Sequence, residues 1–425
     1  MTPHHSSPVK PVELLSPLRF DVCAKYIYAK HRNTKSRFPR ELYSHHLKVW
    51  NNHREYNNPN KQNLEAFVLE FDKILNSIKE RGFDDSVSYI PVHNGSLLNG
   101  AHRIAASLLY DKAVFCKEAP LVEGQLDCSY YFFKNRECNE SGGLKQNFAD
   151  AMALQYVKLK KNTFIVTLFP SAFGHDDSVE RILKRFGSIV YDKKIRLSGF
   201  GPFNYIRTLY DGEDWLGSWD NMFVGAQIKM KGCFKFPNET RIYLVQTEGK
   251  EDLVEAKRLI RQLYNIGKDS VHINDTHEET LRIASAVFND NSVDFLNKNT
   301  PIYLRNFERF FNDYSKWLER ESLDKDKFCI DASAVLSSYG LRDCRDLDFL
   351  YLGDFIETNN DDYSCHNHET KYYPMHKDDI IISPANHFYF KGLKFASPSV
   401  VRSMKQIRCE EKDLKDIQML NKVLM

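Results

Sequence analysis

The chain has 425 residues, with 59 Lys and Arg against 57 Asp and Glu, and 42% hydrophobic residues that include 29 Phe and 22 Tyr. At roughly 100–200 residues per domain the length suggests about three domains, or two with long insertions, and the apolar content gives each enough material for a core, which excludes disorder for most of the chain. A formal charge of +2 is too small for a protein whose main work is to coat nucleic-acid phosphates, so nucleic acid is disfavoured as a partner while local basic patches stay open.

The polar opening MTPHHSSPVKP lacks the apolar segment of a signal peptide, and no run reaches the ~18–20 apolar residues of a membrane span. A cytoplasmic protein is expected. The nine cysteines (Cys23, Cys116, Cys128, Cys138, Cys233, Cys329, Cys344, Cys365, Cys409) are scattered without any CxxC, which fits reduced thiols better than a disulfide framework.

Three blocks are expected, at 12–145, 155–298 and 300–425. In the first, Leu64, Phe67, Val68, Phe71, Ile74, Leu75 and Ile78 recur at helical spacing over 63–80, and Gly82 ends that helix. Extended stretches at 87–92 and 96–98 flank the turn Asn94-Gly95 as a hairpin-like pair. A helix over 101–110 follows, and SGG at 141–143 marks the block's end. The second block alternates strands (163–169, 188–191, 241–246 and one running into His272) with helices (177–186, 199–210, 251–264, 276–288), the order of an α/β layer structure. The run GEDWLGSW at 212–219 reads as core or as a binding loop with aromatic platforms. The third block opens with a helix over 303–320, in which Phe307, Phe310, Phe311, Tyr314, Trp317 and Leu318 share one face, and closes with a charged helix at 399–422. The fold class is therefore multidomain α/β and α+β.

The first candidate site is NGAHR. A strand, a Gly turn and a helix opening on Ala-His-Arg can gather Gly100 backbone, His102 and Arg103 around one phosphate; an ordinary helix start with an exposed His-Arg pair is the competing reading. The run SIKERGFDDSVSYIPVHNGSLLNGAHRIAASLLY resembles the ParB/sulfiredoxin-like family, whose motif is DGxHR or GGxHR. That resemblance implies a nucleotide-phosphate site at Gly100, His102 and Arg103, with Asn99 in place of the usual acid or glycine. Upstream, Arg19, Asp21 and Lys25 lie on an early helix, either facing the same pocket or forming a solvated charged face.

The second is VHINDTHEE. His272 at a strand end could be a nucleophile oriented by Asp275 or Glu278, or a structural residue beside a cap made by Asp275 and Thr276. The stretch resembles nucleoside diphosphate kinase, as do TFIVTLFP and ILKRFGSIVYDKKIRLS, with Tyr210 where a helix tyrosine is expected. The resemblance implies a ferredoxin-like, NDP-kinase-like sheet, places His272 on the phosphorylated histidine and Arg261 on a phosphate-binding arginine. Phe169, Asp269 and Asn274 depart from the family's lysine, asparagine and serine, and no Pro-rich loop is visible, so the block is expected to be degenerate.

The third is DLD. Asp346 and Asp348 alternate along an expected strand, so both face one way about 6–7 Å apart and could hold Mg²⁺ against a triphosphate. Ser333, expected at a strand end, and the helix start after it could meet the phosphates; two solvated aspartates are the alternative. FCIDASAVLSSYGLRDCRDLDFL and GLKFASPSVVRSMKQIRCEEKDLKDIQML resemble the nucleotidyltransferase fold, with Ala332 replacing its glycine. Asp379 is the nearest candidate for a third carboxylate. In DDYSCHNHETKYYPMH, the residues Cys365, His366, His368, Glu369 and His376 fit no standard zinc spacing, and a polar loop is the better reading.

Together these resemblances imply a transferase, a kinase or nucleotidyltransferase that uses Mg²⁺ and a nucleoside triphosphate (ATP or CTP). The acceptor would be a small sugar, polyol or amino acid, and the domain combination suggests surface glycan assembly. The rival is a non-catalytic nucleotide-sensing or scaffold protein, favoured by the changes at Asn99, Phe169 and Ala332. A DNA partition or nuclease role is disfavoured by the charge and by the lack of a helix-turn-helix.

Overall fold

The computed structural model describes residues 7–55, 58–121, 127–136 and 143–425; Cys138 and most of the expected SGG boundary lie outside them. The described chain is mixed α/β, 53% helix and 14% strand, and the excess of helix matches several small sheets rather than one large one. Its contacts gather into two compact units, one of 1–163, 186–192 and 244–249, the other of 164–185, 193–243 and 250–425. Most of the expected second block and all of the third fall in the second unit.

In chain order the first unit carries β1 (Pro8–Val9), α1 (Asp21–His31), α2 (Phe38–Asn51), α3 (Leu64–Arg81), β2 (Ile90–His93), β3 (Ser96–Leu97), α4 (Ala101–Leu109), β4 (Val114–Glu118), α5 (Tyr130–Asn135) and α6 (Gln146–Leu159). Its sheet has the order β1-β4-β2-β3. Helix α3 starts where Asn63 accepts a hydrogen bond from Ala66 N–H and stops at Gly82, whose φ is 75°. Phe67, Phe71, Leu75 and Ile78 are its buried stripe, each contributing about 1.5–3 kcal/mol of transfer free energy as an upper bound. The expected hairpin is real but shorter, Val92 pairing with Leu97 and His93 with Ser96.

A second sheet, ordered β6-β7-β5-β8, is built from β5 (Thr163–Leu168), β6 (Ser188–Ile195), β7 (Thr240–Gln246) and β8 (Val271–Ile273), with α7 (Asp176–Phe186), α8 (Gly201–Leu209), α9 (Val224–Cys233) and α10 (Lys250–Tyr264) between them. Strand β6 runs four residues beyond the expected end because Asp192 to Ile195 alternate half-buried, buried, exposed and buried, a strand period whose charged residues hid it. Two helices follow, α11 (His277–Val287) and α12 (Asp290–Lys298).

The rest of the second unit is α13 (Arg305–Arg320), β9 (Phe328–Ile330), α14 (Ala332–Ser338), β10 (Leu347–Tyr351), β11 (Tyr363–Cys365), α15 (Lys377–Ile382), β12 (His387–Phe390), β13 (Leu393–Ala396), α16 (Pro398–Arg408) and α17 (Glu411–Leu424). Their five-stranded sheet has the order β11-β10-β9-β13-β12. The six apolar residues expected on one face of α13 are all buried, and their rings meet Phe328, Phe349, Tyr363, Phe390 and Phe395 of the sheet. Helix α12, from the expected second block, docks on the same sheet: Phe295 stacks on Phe388 at 4.5 Å between centroids, and Ser292 Oγ accepts from Tyr389 N–H. The closing segment is two helices, not one. Cys409 takes the left-handed conformation, φ 56°, and Glu410 with Asp413 forms a capping box for α17, a break that no Gly or Pro announces.

Candidate functional site

The three expected sites fold very differently. At NGAHR, Gly100 has φ 98°, and a Cβ there would lie 2.9 Å from both Arg103 Nη2 and Ile90 Cδ1, so only glycine fits this turn. The space it leaves is filled by the Arg103 guanidinium, which donates to Ser88 Oγ and to the Tyr89 carbonyl, both at 2.9 Å. His102 turns inward, 2.7 Å from Tyr43 Oη and edge-on to Phe71. Burial holds its imidazole well below the usual range, helped by the charges of Lys25 and Lys61. Both side chains are thus engaged within the unit, in separate places. Arg19, Asp21 and Lys25 do not form a solvated face: all three are buried, Asp21 accepting from Arg19 Nε at 2.9 Å and from Lys25 Nζ at 2.8 Å, with His46 Nε2 3.1 Å from that ammonium.

His272 sits on β8, buried, with its ring 4.6 Å from that of Tyr210. Burial, with Lys257 next in weight, lowers its pKa to about 3, and its Nε2 has no hydrogen-bond partner. The expected orienters are elsewhere: Asp275 pairs with Lys250 at 3.3 Å, and Glu278 is exposed. Arg261 likewise has an unpartnered Nε. Thr276, not Asp275, caps α11, accepting from Glu279 N–H. In GEDWLGSW only Leu216 is buried and Trp215 is exposed, so the core reading of that run fails; Trp219 packs on Phe223 and under the Arg207 guanidinium.

The third constellation is assembled by strand register. Strands β9 and β10 pair antiparallel with Phe349 opposite Ile330, which puts Asp348 opposite Asp331, and Asp331 N–H donates to the Asp348 carbonyl at 2.9 Å. Strand β11 runs parallel to β10, and its next residue, His366, continues the ladder by donating its N–H to the Phe349 carbonyl at 2.8 Å. One ligand atom from each of Asp331, Asp348 and His366 lies within 4.8 Å of the others. His366 Nε2 is 3.2 Å from Asp348 Oδ1 and its Nδ1 3.9 Å from Asp331 Oδ1. Asp346, one residue ahead of β10, is exposed and outside this group.

Burial pushes the Asp348 carboxyl up to about 7, with Asp331 and Asp346 adding to the rise and His366 opposing it. Burial raises Asp331 as well, against His366 and the Tyr373 hydroxyl that bonds its Oδ2. Asp331 is the residue the sequence reading missed; the only signal was its place next to Ala332-Ser333. Asp379 belongs to α15 and is not a member. Of the five candidate metal-ligating residues in that run, His368 is exposed beside Glu369, His376 caps α15 by accepting from Asp378 N–H, and His366 is the one that joins Asp331 and Asp348.

Ser333 lies in the first turn of α14 rather than at a strand end, its Oγ 3.4 Å from the Asp346 carbonyl. Ala332 keeps φ 50°, the conformation that the glycine of the resemblance would take freely. An L-residue there costs roughly 1–2 kcal/mol and glycine gives back part of that as unfolded-chain entropy. Ala332→Gly should therefore raise stability by about 0.5–1 kcal/mol, seen as a higher denaturant midpoint at constant slope; an unchanged midpoint would count against the strain.

A cavity of ≈ 810 Å³ opens over this group, lined by Ser333, Asp346, Asp348 and His366, by the cations Arg342, Arg345, Lys405, Arg408, Lys412 and Lys415, and by the acids Asp343, Glu411 and Asp416. Several of these cations are engaged: Arg342 grips Asp416 with two hydrogen bonds at 2.6 and 2.7 Å, and Lys405 and Arg408 hold Asp413. Arg345 and Lys415 pair with no carboxylate among the described residues. As a donor set for a cation, two carboxylates with an imidazole suit a borderline transition ion better than oxygen-seeking Mg²⁺. No helix is long and apolar enough to cross a membrane among the described residues. No protein-family model matches the chain, and no curated protein and no solved structure matches it either.

Proposed function

We propose that the second unit binds a nucleoside triphosphate, ATP or CTP, in the cavity above β10 and transfers its phosphoryl or nucleotidyl group to a small acceptor. The observation that carries this reading is that one cavity is lined by both kinds of charge: the carboxylates of Asp346 and Asp348 at the start of β10, and Arg345 and Lys415, which form no ion pair among the described residues. A triphosphate carries several negative charges and needs both a cation at its oxygens and basic side chains around its tail. Arg345 and Lys415 would bind and orient the phosphates, while the paired Arg342, Lys405 and Arg408 keep the basic wall rigid. The metal, when bound, would supply charge neutralisation at the transferring phosphorus. The resemblance to nucleotidyltransferases adds to this reading, and the sugar, polyol or amino-acid acceptors remain its candidates.

The non-catalytic alternative draws on the first unit, where His102 and Arg103 spend their hydrogen bonds internally. One experiment separates the two: equilibrium binding of ATP and CTP with a divalent cation, alongside pyrophosphate release and γ-phosphate transfer to a panel of sugars, polyols and amino acids. Turnover supports the enzyme, binding without turnover supports the sensor, and no binding overturns both. The Arg345→Ala, Lys415→Ala double variant should weaken binding about tenfold or more.

A further inference from the structure

We propose that Asp331, Asp348 and His366 form a binding site for a divalent transition ion such as Mn²⁺, Co²⁺ or Zn²⁺, in preference to Mg²⁺ and without any need for nucleotide. Asp348 of β10 and the residues that follow β9 and β11, Asp331 and His366, each contribute one donor, and backbone hydrogen bonds to β10 hold Asp331 and His366 in place. Donors around one ion at about 2.1 Å lie roughly 3.0–3.4 Å from one another. His366 Nε2 and Asp348 Oδ1 already stand at 3.2 Å, and the remaining gap is within reach of a side-chain rotation.

Asp331 supplies the independent observation. Its side chain is fully buried, and its Oδ1 has no hydrogen-bond partner, a state that costs several kcal/mol unless a cation meets it. The other oxygen accepts from the buried Tyr373 hydroxyl, the kind of outer hydrogen bond that orients a ligating carboxylate. Directly opposed carboxylates on paired strands repel, and Lys405 and Arg408 relieve them only in part, since Lys405 is held by Asp413 and Asp416, and Arg408 by Asp413. An imidazole between two carboxylates is the donor mixture that selects Mn²⁺, Co²⁺ or Zn²⁺ over Mg²⁺. His366 and Asp348 line the cavity, which gives the ion its entry path.

The test uses the full chain, stripped with chelator and titrated with Mn²⁺, Co²⁺, Zn²⁺ or Mg²⁺ alone, read by calorimetry and by the visible absorption of bound Co²⁺. The expected result is about one transition ion per chain, bound at least tenfold more tightly than Mg²⁺. His366→Ala, a change at a half-buried loop position, should weaken Co²⁺ about 10–100-fold and remove the preference over Mg²⁺. Asp331→Asn should do the same, and His368→Ala should bind as the parent does. Equal affinity for Co²⁺ and Mg²⁺, or a His366→Ala variant that binds Co²⁺ as well as the parent, would overturn the site. Nucleotide binding measured separately keeps the two proposals apart, since either can fail while the other stands.

Discussion

Replacing Asp413 by asparagine should cost about 3–5 kcal/mol of stability, the loss expected when one partner leaves a buried ion-pair network. Asp413 is fully buried and takes Lys405 Nζ at 3.1 Å and Arg408 through two hydrogen bonds at 2.6 and 3.0 Å. Lys405, equally buried, also meets Asp416 at 2.8 Å, and Asp416 passes the network on to Arg342. This chain of charges joins α16 to α17 and both to the loop before β10. Asparagine keeps the volume but leaves half-buried Arg408 with only Glu410 at 3.6 Å and buried Lys405 with only Asp416, so the cost is that of a buried ammonium losing one of its two anions. Burial alone would raise the Asp413 carboxyl, but Arg408 and Lys405 hold it at about 2, against an ordinary 3.8. A carboxylate held low stabilises the fold above its unfolded pKa and loses that contribution as pH falls through the folded one. The parent should therefore weaken between about pH 4 and pH 2 more steeply than the variant. Denaturant unfolding across that range is the measurement, and a loss under 1 kcal/mol at pH 7 would show the network to be ornamental.

Asp348→Asn should act in the opposite direction on stability while impairing the proposed transfer. In the chelated protein the Asp348 carboxyl has its pKa raised from 3.8 to about 7, so the folded state holds a proton that the unfolded state has released. Stability falls as pH rises from about 4 to 7, and above that the penalty is complete, roughly 4 kcal/mol at 1.4 kcal/mol per unit of pKa. Asparagine carries no such penalty. Parent and variant should unfold alike near pH 4, and the variant should be the more stable by up to that amount at pH 8. Under the proposed transferase reading, its nucleotide-dependent turnover should fall a hundredfold or more, because a charge is missing where the cation needs it. A variant less stable than the parent at pH 8 would refute the penalty of burying this carboxylate, and full turnover would refute the site. The pairing of higher stability with lost activity is what a site strained for function produces.

Sequence periodicity identified the apolar stripes of α3 and α13 because a one-sided helix writes its packing into spacing alone. The alternating strands and helices of the middle segment were legible for the same reason. Asp331 was not, since nothing local separates a carboxylate meeting two partners across a sheet from one that caps a helix. Its meeting with Asp348 and His366 depends on the register of β9, β10 and β11, a long-range property. Arg19, Asp21 and Lys25 were open to misreading because charge runs are usually solvated, and only the fold shows that they pair with each other under cover. The break at Cys409 was hidden because a non-glycine residue adopts the left-handed conformation there.

The backbone hydrogen bonds that carry Asp331 and His366 into the ladders of β10 have a kinetic consequence. Ligands fixed to a sheet need no segment to fold around an arriving ion, so binding should leave amide exchange in β9 and β10 nearly unchanged and should release little conformational order. Capture would then be timed by how fast the ion sheds its own water, and stopped-flow traces should rank the metals by their water-exchange rates rather than share one slow protein step.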